Sequence, residues 1–206
     1  MIDVLTPSLM YRDTIKELNT KEVSVIEEES KGFIKNVTNQ MSKNDRVLNR
    51  KELKRLRQEC LGYVQTFFYD ILGVDKSCTE IFITQSWLNM NRSGEQHTPH
   101  HHPNSVISGV LYLCTNENDA IYFRRESPFP GLAFQENEKS DSPVKLSALI
   151  NQRVPIGRNE IILFPSDTVH FVERIDERKF PRISLAFNTN VRGKLFNEPR
   201  ALMSAV

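Results

Sequence analysis

The chain has 206 residues, 39% of them hydrophobic and 26% charged, which suits one globular domain with a core of its own. A formal net charge of +1 gives no global basic field to draw in nucleic acid and no acidic tail, so partners have to be argued from a local site. Cys60, Cys78 and Cys114 are odd in number and lack C-x-x-C spacing, which argues against a disulfide framework or thiolate metal site and for a reduced cytoplasm. No apolar run reaches the roughly 18 residues of a membrane span, and the start shows no basic segment followed by an apolar one.

In chain order, a short strand is expected in "IDVLTP", followed by a helix from Thr20, as its cap, to about Asn39. The segment "NRKELKRLRQECLGYVQTFFYDILG" predicts a longer helix, capped by Asn49 and stopped by Gly73. There Leu53, Leu56, Cys60, Val64, Phe67 and Ile71 recur at steps of three and four and draw one apolar stripe. Lys51, Lys54, Arg55 and Arg57 are read as the solvated face opposite that stripe rather than as a phosphate site. Near residue 75 the period changes. "EIFITQSWLNMN", "SVISGVLYLC", "AIYFRR", "VKLSALIN", "EIILFP", "TVHFVERI" and "RISLAFNTNV" are β-branched or aromatic runs separated by turn residues. Consecutive strands without an intervening helix predict a mainly β fold: an antiparallel sandwich, barrel or jelly roll packed on N-terminal helices. The expected organisation is a single domain, 1–206, with helical support over 1–75, a β core over 76–192 and a tail over 193–206.

Four of the five histidines fall in "QHTPHHHP". On a strand, residues i and i+2 share a face, so His100 and His102 would present two imidazoles together while His101 points away. A jelly roll can bring the fifth, His170 in "FPSDTVHFVERI", alongside them. Three ligands on one side of a metal leave the other side open, as a catalytic site requires. Arg182 and Ser184 in "PRISLAFN" share a strand face and would receive a carboxylate, the guanidinium bidentately and the hydroxyl as a third donor. His97 is read as a surface or supporting residue rather than a fourth ligand. Trp87 either lines the pocket or belongs to the core, and Arg124 and Arg125 end a strand where they would steer an anionic substrate or serve as ordinary edge charges.

The series "SWLNMN…HHHPNSVISGVLYL…FPSDTVHFVERI…RISLAFN", roughly residues 80 to 190, resembles the iron(II) and 2-oxoglutarate dependent oxygenases, in particular a family known from bacteria and marine phages within the prolyl-hydroxylase-like superfamily. The resemblance implies a double-stranded β-helix, the cupin-like jelly roll. It implies Fe(II) held by His100, His102 and His170, and 2-oxoglutarate bound at its distal carboxylate by Arg182 and Ser184, with Tyr112 and Asn89 as further contacts. It also implies O2 as oxidant, with 2-oxoglutarate decarboxylated to succinate while a substrate C–H bond is hydroxylated. No side-chain acid or base is needed beyond the metal ligands.

The sequence departs from the superfamily's usual H-x-D ligand pair by placing His102 at the carboxylate position. A neutral imidazole there makes the iron(II) site one unit more positive, which favours the dianionic cosubstrate and changes electron donation to the metal. A three-histidine cupin-type dioxygenase without 2-oxoglutarate, and a metal-binding interaction module without catalysis, are the competing readings; Arg182 separates them. For the primary substrate a protein side chain such as proline is favoured over nucleic acid, with Trp87 and Arg124 as substrate-side residues. "RRESPFPGLAFQENEKSDSPV" and "MNRSGEQHTP" are read as loops at the rim of the site, and exposed edge strands leave a homodimer open.

Overall fold

The computed structural model describes residues 9–125 and 150–194, together with Gln135, Asn137 and Lys139. Its strands are β1 (Tyr11–Thr14), β2 (Ile34–Asn36), β3 (Asn39–Met41), β4 (Thr79–Asn91), β5 (His97–His100), β6 (Ile107–Cys114), β7 (Ala120–Arg124), β8 (Asn151–Pro155), β9 (Glu160–Pro165), β10 (His170–Val172) and β11 (Arg182–Gly193). The helices are α1 (Thr20–Ser30) and α2 (Lys54–Gln65). The strands form two antiparallel sheets, one of seven strands ordered β1-β9-β6-β11-β4-β3-β2 and one of four ordered β5-β10-β7-β8.

The expected helix over Thr20–Asn39 is only partly right. The cap is Asn19, not Thr20: its Oδ1 accepts from the Lys21 and Glu22 amides while the Glu22 carboxylate accepts the Asn19 amide, a reciprocal capping box. The helix stops at Ser30, and the chain then turns into the β2–β3 hairpin, which pairs with β4. Edge pairing against a long neighbouring strand here overrides local propensity. Asn49 likewise caps nothing. It closes a 3-10 turn, a second such turn covers Lys51–Leu53, and α2 begins only at Lys54, running on into a π turn over Thr66–Ile71 before Gly73 at φ 73°. The apolar stripe is buried from Leu53 to Phe67, but Ile71 at the widened turn is 49% exposed. Arg55 in the basic run is committed to Glu22 and Glu59, at 2.5 and 2.6 Å.

The strand expected in "IDVLTP" lies outside the described residues, as does most of "VKLSALIN"; in these neighbourhoods the structure has β1 and β8. No described helix is long and apolar enough to cross a membrane.

Strand parity sorts the side chains of the large sheet. Leu88, Leu111, Leu185 and Phe187 pack with Leu53, Leu56, Cys60, Val64 and Phe67, so this face is closed by the helices. On the other face Val110, Tyr112, Ile162 and Phe164 pack with Ile121, Phe123 and Val154 of the small sheet. Gly109 is essential to the first contact. It sits opposite Phe187 in the β6–β11 register, and a Cβ on it would overlap the phenyl ring. Gly109→Ala is therefore expected to destabilise the fold by roughly 1–3 kcal/mol, the usual range for overpacking. In a chain of this size that lowers the thermal midpoint by about 2–4 °C per kcal/mol, measurable by differential scanning calorimetry. An unchanged midpoint would show that the ring has somewhere else to go.

Candidate active site

His170 begins β10 and stands directly opposite His100 of β5 in the antiparallel register, so two of the imidazoles are a cross-strand pair. His102 arrives differently from expectation. β5 ends at His100, and His102 lies in the irregular segment just beyond it, ahead of the Pro103–Asn104 turn, where its backbone N–H donates to the Ser166 carbonyl at 2.8 Å. That hydrogen bond, outside the strand, positions it. The ligand atoms of His100, His102 and His170 nevertheless all lie within 4.8 Å of one another. His101 is exposed, as expected.

Two of the three rings are oriented by the same local device. His170 Nδ1 lies 3.0 Å from the Thr168 carbonyl and His100 Nδ1 lies 2.8 Å from the Thr98 carbonyl. A ring that donates Nδ1–H to a carbonyl keeps its Nε2 lone pair for a metal. Burial disfavours the charged form of these imidazoles: His102 is pushed down to about 4, and His100 and His170 are lowered as well. Neutral imidazole is the form a metal binds.

His97 stacks on His100 at 4.2 Å between ring centroids and lines the same cleft. Burial, followed by the charge of His100, pushes it down to about 3. It stands outside the three-ligand group and supports one of its members.

The large sheet supplies the rest. Trp87, Asn89, Arg182, Ser184 and the histidines line one narrow cleft. Their common face follows from register: Arg182 opposes Asn91, Ser184 opposes both Asn89 and Tyr112, and Ala186 opposes Trp87. Trp87 is half-buried with its ring edge-on to His102 at 5.7 Å, so it belongs to the pocket wall. Arg182 is 3% exposed, and its guanidinium lies 5.2 Å from the Tyr112 ring centroid. Among the described residues it makes one side-chain hydrogen bond, from Nη1 to Asn91 Oδ1 at 3.1 Å, and no ion pair with a carboxylate. Arg182 Nε, the Tyr112 hydroxyl and Asn89 Oδ1 are all buried and unpartnered.

These observations test whether a metal and a dicarboxylate would fit. Converging neutral imidazoles suit a first-row divalent ion, and an uncompensated buried cation with idle donors on the same cleft suits a carboxylate. The residues present fit both groups.

Arg124 does not reach this cleft. It lies over the Phe171 ring at 5.1 Å, donates from Nε to Asn151 Oδ1 at 3.3 Å, and lines a separate cavity of about 710 Å³. That cavity shares a wall with the metal side: Phe164, part of its lining, is 4.7 Å from the His170 ring. Of the two segments read as rim loops, "MNRSGEQHTP" is partly β4 and β5, and most of the other lies outside the described residues. Asn91 and the buried pair of Arg178 with Asp119 escaped the sequence reading. For Asn91 a usable signal existed, its shared parity with Trp87 and Asn89 in "WLNMN".

A family model described as "Putative 2OG-Fe(II) oxygenase" matches residues 85–188, half of the chain. The chain belongs to this oxygenase family. The oxygenase works with Fe(II), 2-oxoglutarate and O2. None of the curated proteins matches it in sequence. Among solved structures it is similar to HygX from Streptomyces hygroscopicus with nickel, 2-oxoglutarate and hygromycin B bound: TM-score 0.57, 10% identity, covering 92% of this chain and 84% of that one. It is also similar to a Pseudomonas putida prolyl-4-hydroxylase, at TM-score 0.55 and 10% identity over 90% and 94% of the two chains. A 2OG-Fe(II) oxygenase family protein from Burkholderia pseudomallei gives TM-score 0.54 and 12% identity over 82% and 77%. At these identities the likeness concerns the fold. The oxygenase itself has a mainly β architecture, with two antiparallel sheets and few helices among the described residues.

Proposed function

We propose that His100, His102 and His170 hold the iron on a double-stranded β-helix, that Arg182 and Ser184 anchor the distal carboxylate of 2-oxoglutarate, and that the substrate oxidised is a protein side chain such as proline. The observation that carries this reading is Arg182: a buried guanidinium without a carboxylate partner among the described residues, on the cleft that the three histidines line. A cupin-type dioxygenase that ignores 2-oxoglutarate has no use for such a residue.

Bound Fe(II) supplies the redox chemistry that couples decarboxylation of 2-oxoglutarate to hydroxylation of a C–H bond. The chain's own residues bind and orient. Arg182 offers a planar fork to the far carboxylate, and Ser184, adjacent in the same strand face, adds a hydroxyl donor. Tyr112 contributes an idle hydroxyl that burial holds protonated, its pKa pushed up to about 12, and Asn89 contributes its amide. Trp87 walls off water beside His102. Substrate approaches from the cavity that Arg124 lines, on the His170 side, leaving the Arg182 side to the cosubstrate. The proline preference is drawn from the prolyl-4-hydroxylase among similar structures.

The test is anaerobic titration of the Fe(II)-loaded protein with 2-oxoglutarate, following the visible metal-to-ligand charge-transfer band of a chelated 2-oxo acid. A band is expected. Its absence, with metal loading verified, would remove 2-oxoglutarate binding and leave the metal-only reading.

A further inference from the structure

Two buried arginines stand four residues apart at and just before the start of β11, and the fold treats them in opposite ways. Arg178, its side chain 1% exposed, is ion-paired through Nη1 to Asp119, which is itself fully buried. Asp119 is held in turn by the amide and side chain of Asn116, whose Oδ1 accepts from the Lys179 and Phe180 amides. That arginine is neutralised and built into the loop leading to β11. Arg182 receives no carboxylate. The residue opposite it in the β4–β11 register is Asn91, 0% exposed, which offers only a neutral amide oxygen.

The chemistry of the two partners differs where it matters. A carboxylate at position 91 would satisfy the guanidinium fork and cancel its charge, and an apolar residue would leave the fork unaimed. An amide accepts one N–H, fixes the guanidinium plane and leaves the positive charge uncancelled. Asn91 Nδ2 and Arg182 Nε are both buried donors without a partner, so the pair still has hydrogen bonds to give.

We propose that Asn91 is the positioning residue for Arg182, and that through it the site selects 2-oxo acids bearing a distal carboxylate over those without one. This rests on the proposed binding of 2-oxoglutarate at Arg182.

The experiment is calorimetric titration of the Ni(II)-loaded protein, which does not turn over, with 2-oxoglutarate and with pyruvate, a 2-oxo acid lacking the far carboxylate. Wild type is expected to bind 2-oxoglutarate the more tightly. Asn91→Asp, which supplies the cancelling charge, is expected to weaken 2-oxoglutarate by about 30-fold or more, as loss of a buried charge pair does, while leaving pyruvate unchanged. Asn91→Ala introduces no buried charge and is read in parallel, with an expected loss of about fivefold for 2-oxoglutarate alone. Equal losses for both acids would mark Asn91 as merely structural, and variants that bind 2-oxoglutarate as wild type does would overturn its role while leaving Arg182 as the anchor. Wild type that binds no 2-oxoglutarate would overturn both readings together.

Discussion

Arg182→Gln is expected to weaken 2-oxoglutarate binding by about 30-fold or more while leaving metal affinity unchanged. Truncating one partner of a buried, hydrogen-bonded charge pair costs about 2–5 kcal/mol, and each 1.4 kcal/mol is tenfold in affinity. The metal should be indifferent, because the guanidinium's side-chain hydrogen bond goes to Asn91 and not to any of the three histidines. A second consequence has the opposite sign. In the ligand-free chain Arg182 is a buried cation whose ionised form burial penalises, and glutamine removes that charge while keeping a polar group beside Asn91. The variant should thus be as stable as wild type or more so without ligand, yet gain little stabilisation from 2-oxoglutarate. Melting curves with and without the cosubstrate distinguish this from a folding defect, which would lower both.

His170→Ala is expected to have the largest effect on the metal. The ring is 6% exposed, with Nδ1 set against the Thr168 carbonyl, Phe164 at 4.7 Å and His100 at 4.3 Å on its flanks. Losing only an outer hydrogen-bond partner at such sites costs about 10–100-fold in metal affinity, so losing the ligand itself should exceed that range and abolish turnover. His102→Asp is the informative contrast. It restores the carboxylate usual in the superfamily and should retain metal, but it removes one unit of positive charge and should weaken the dianionic cosubstrate. His101→Ala, at an exposed neighbour, should change neither. Metal titration by competition with a chromophoric chelator reads all three. Full metal affinity in His170→Ala would remove that residue from the ligand set.

The shared cleft of the residues proposed to hold the cosubstrate was legible in the sequence because they lie on long strands. β4 and β11 run 13 and 12 residues, and over such lengths a period of two fixes which side chains share a face. Trp87 and Asn89 on one strand and Arg182 and Ser184 on the next therefore fell where alternation put them. The metal side was legible in composition but not in geometry. His102 lies past the end of β5 and is held by a hydrogen bond to Ser166, a residue more than sixty positions away that no local pattern announces. The same holds for the hairpin after α1: nothing in "FIKNVTNQM" reveals that the edge of β4 awaits it. Asp119 and Arg178, 59 residues apart, each look like an ordinary surface charge until the fold joins them.

The unequal footing of the two halves has a consequence in time. β11 lies in the interior of the large sheet, paired with β4 from Arg182 to Gly193 and with β6 from Ile183 to Asn188, whereas β5 and β10 are only four and three residues long and β5 is an edge. Short edge strands open by local fluctuation far more often than a central strand, which opens only when the domain does. Amide protons of β11 from Ser184 to Phe187 should accordingly be among the last to exchange with solvent, and those around His100 among the first. With the proposed ligands, iron would leave and return through brief fraying of the small sheet, on a clock much faster than unfolding, while the strand that carries the proposed diacid anchor holds its shape throughout.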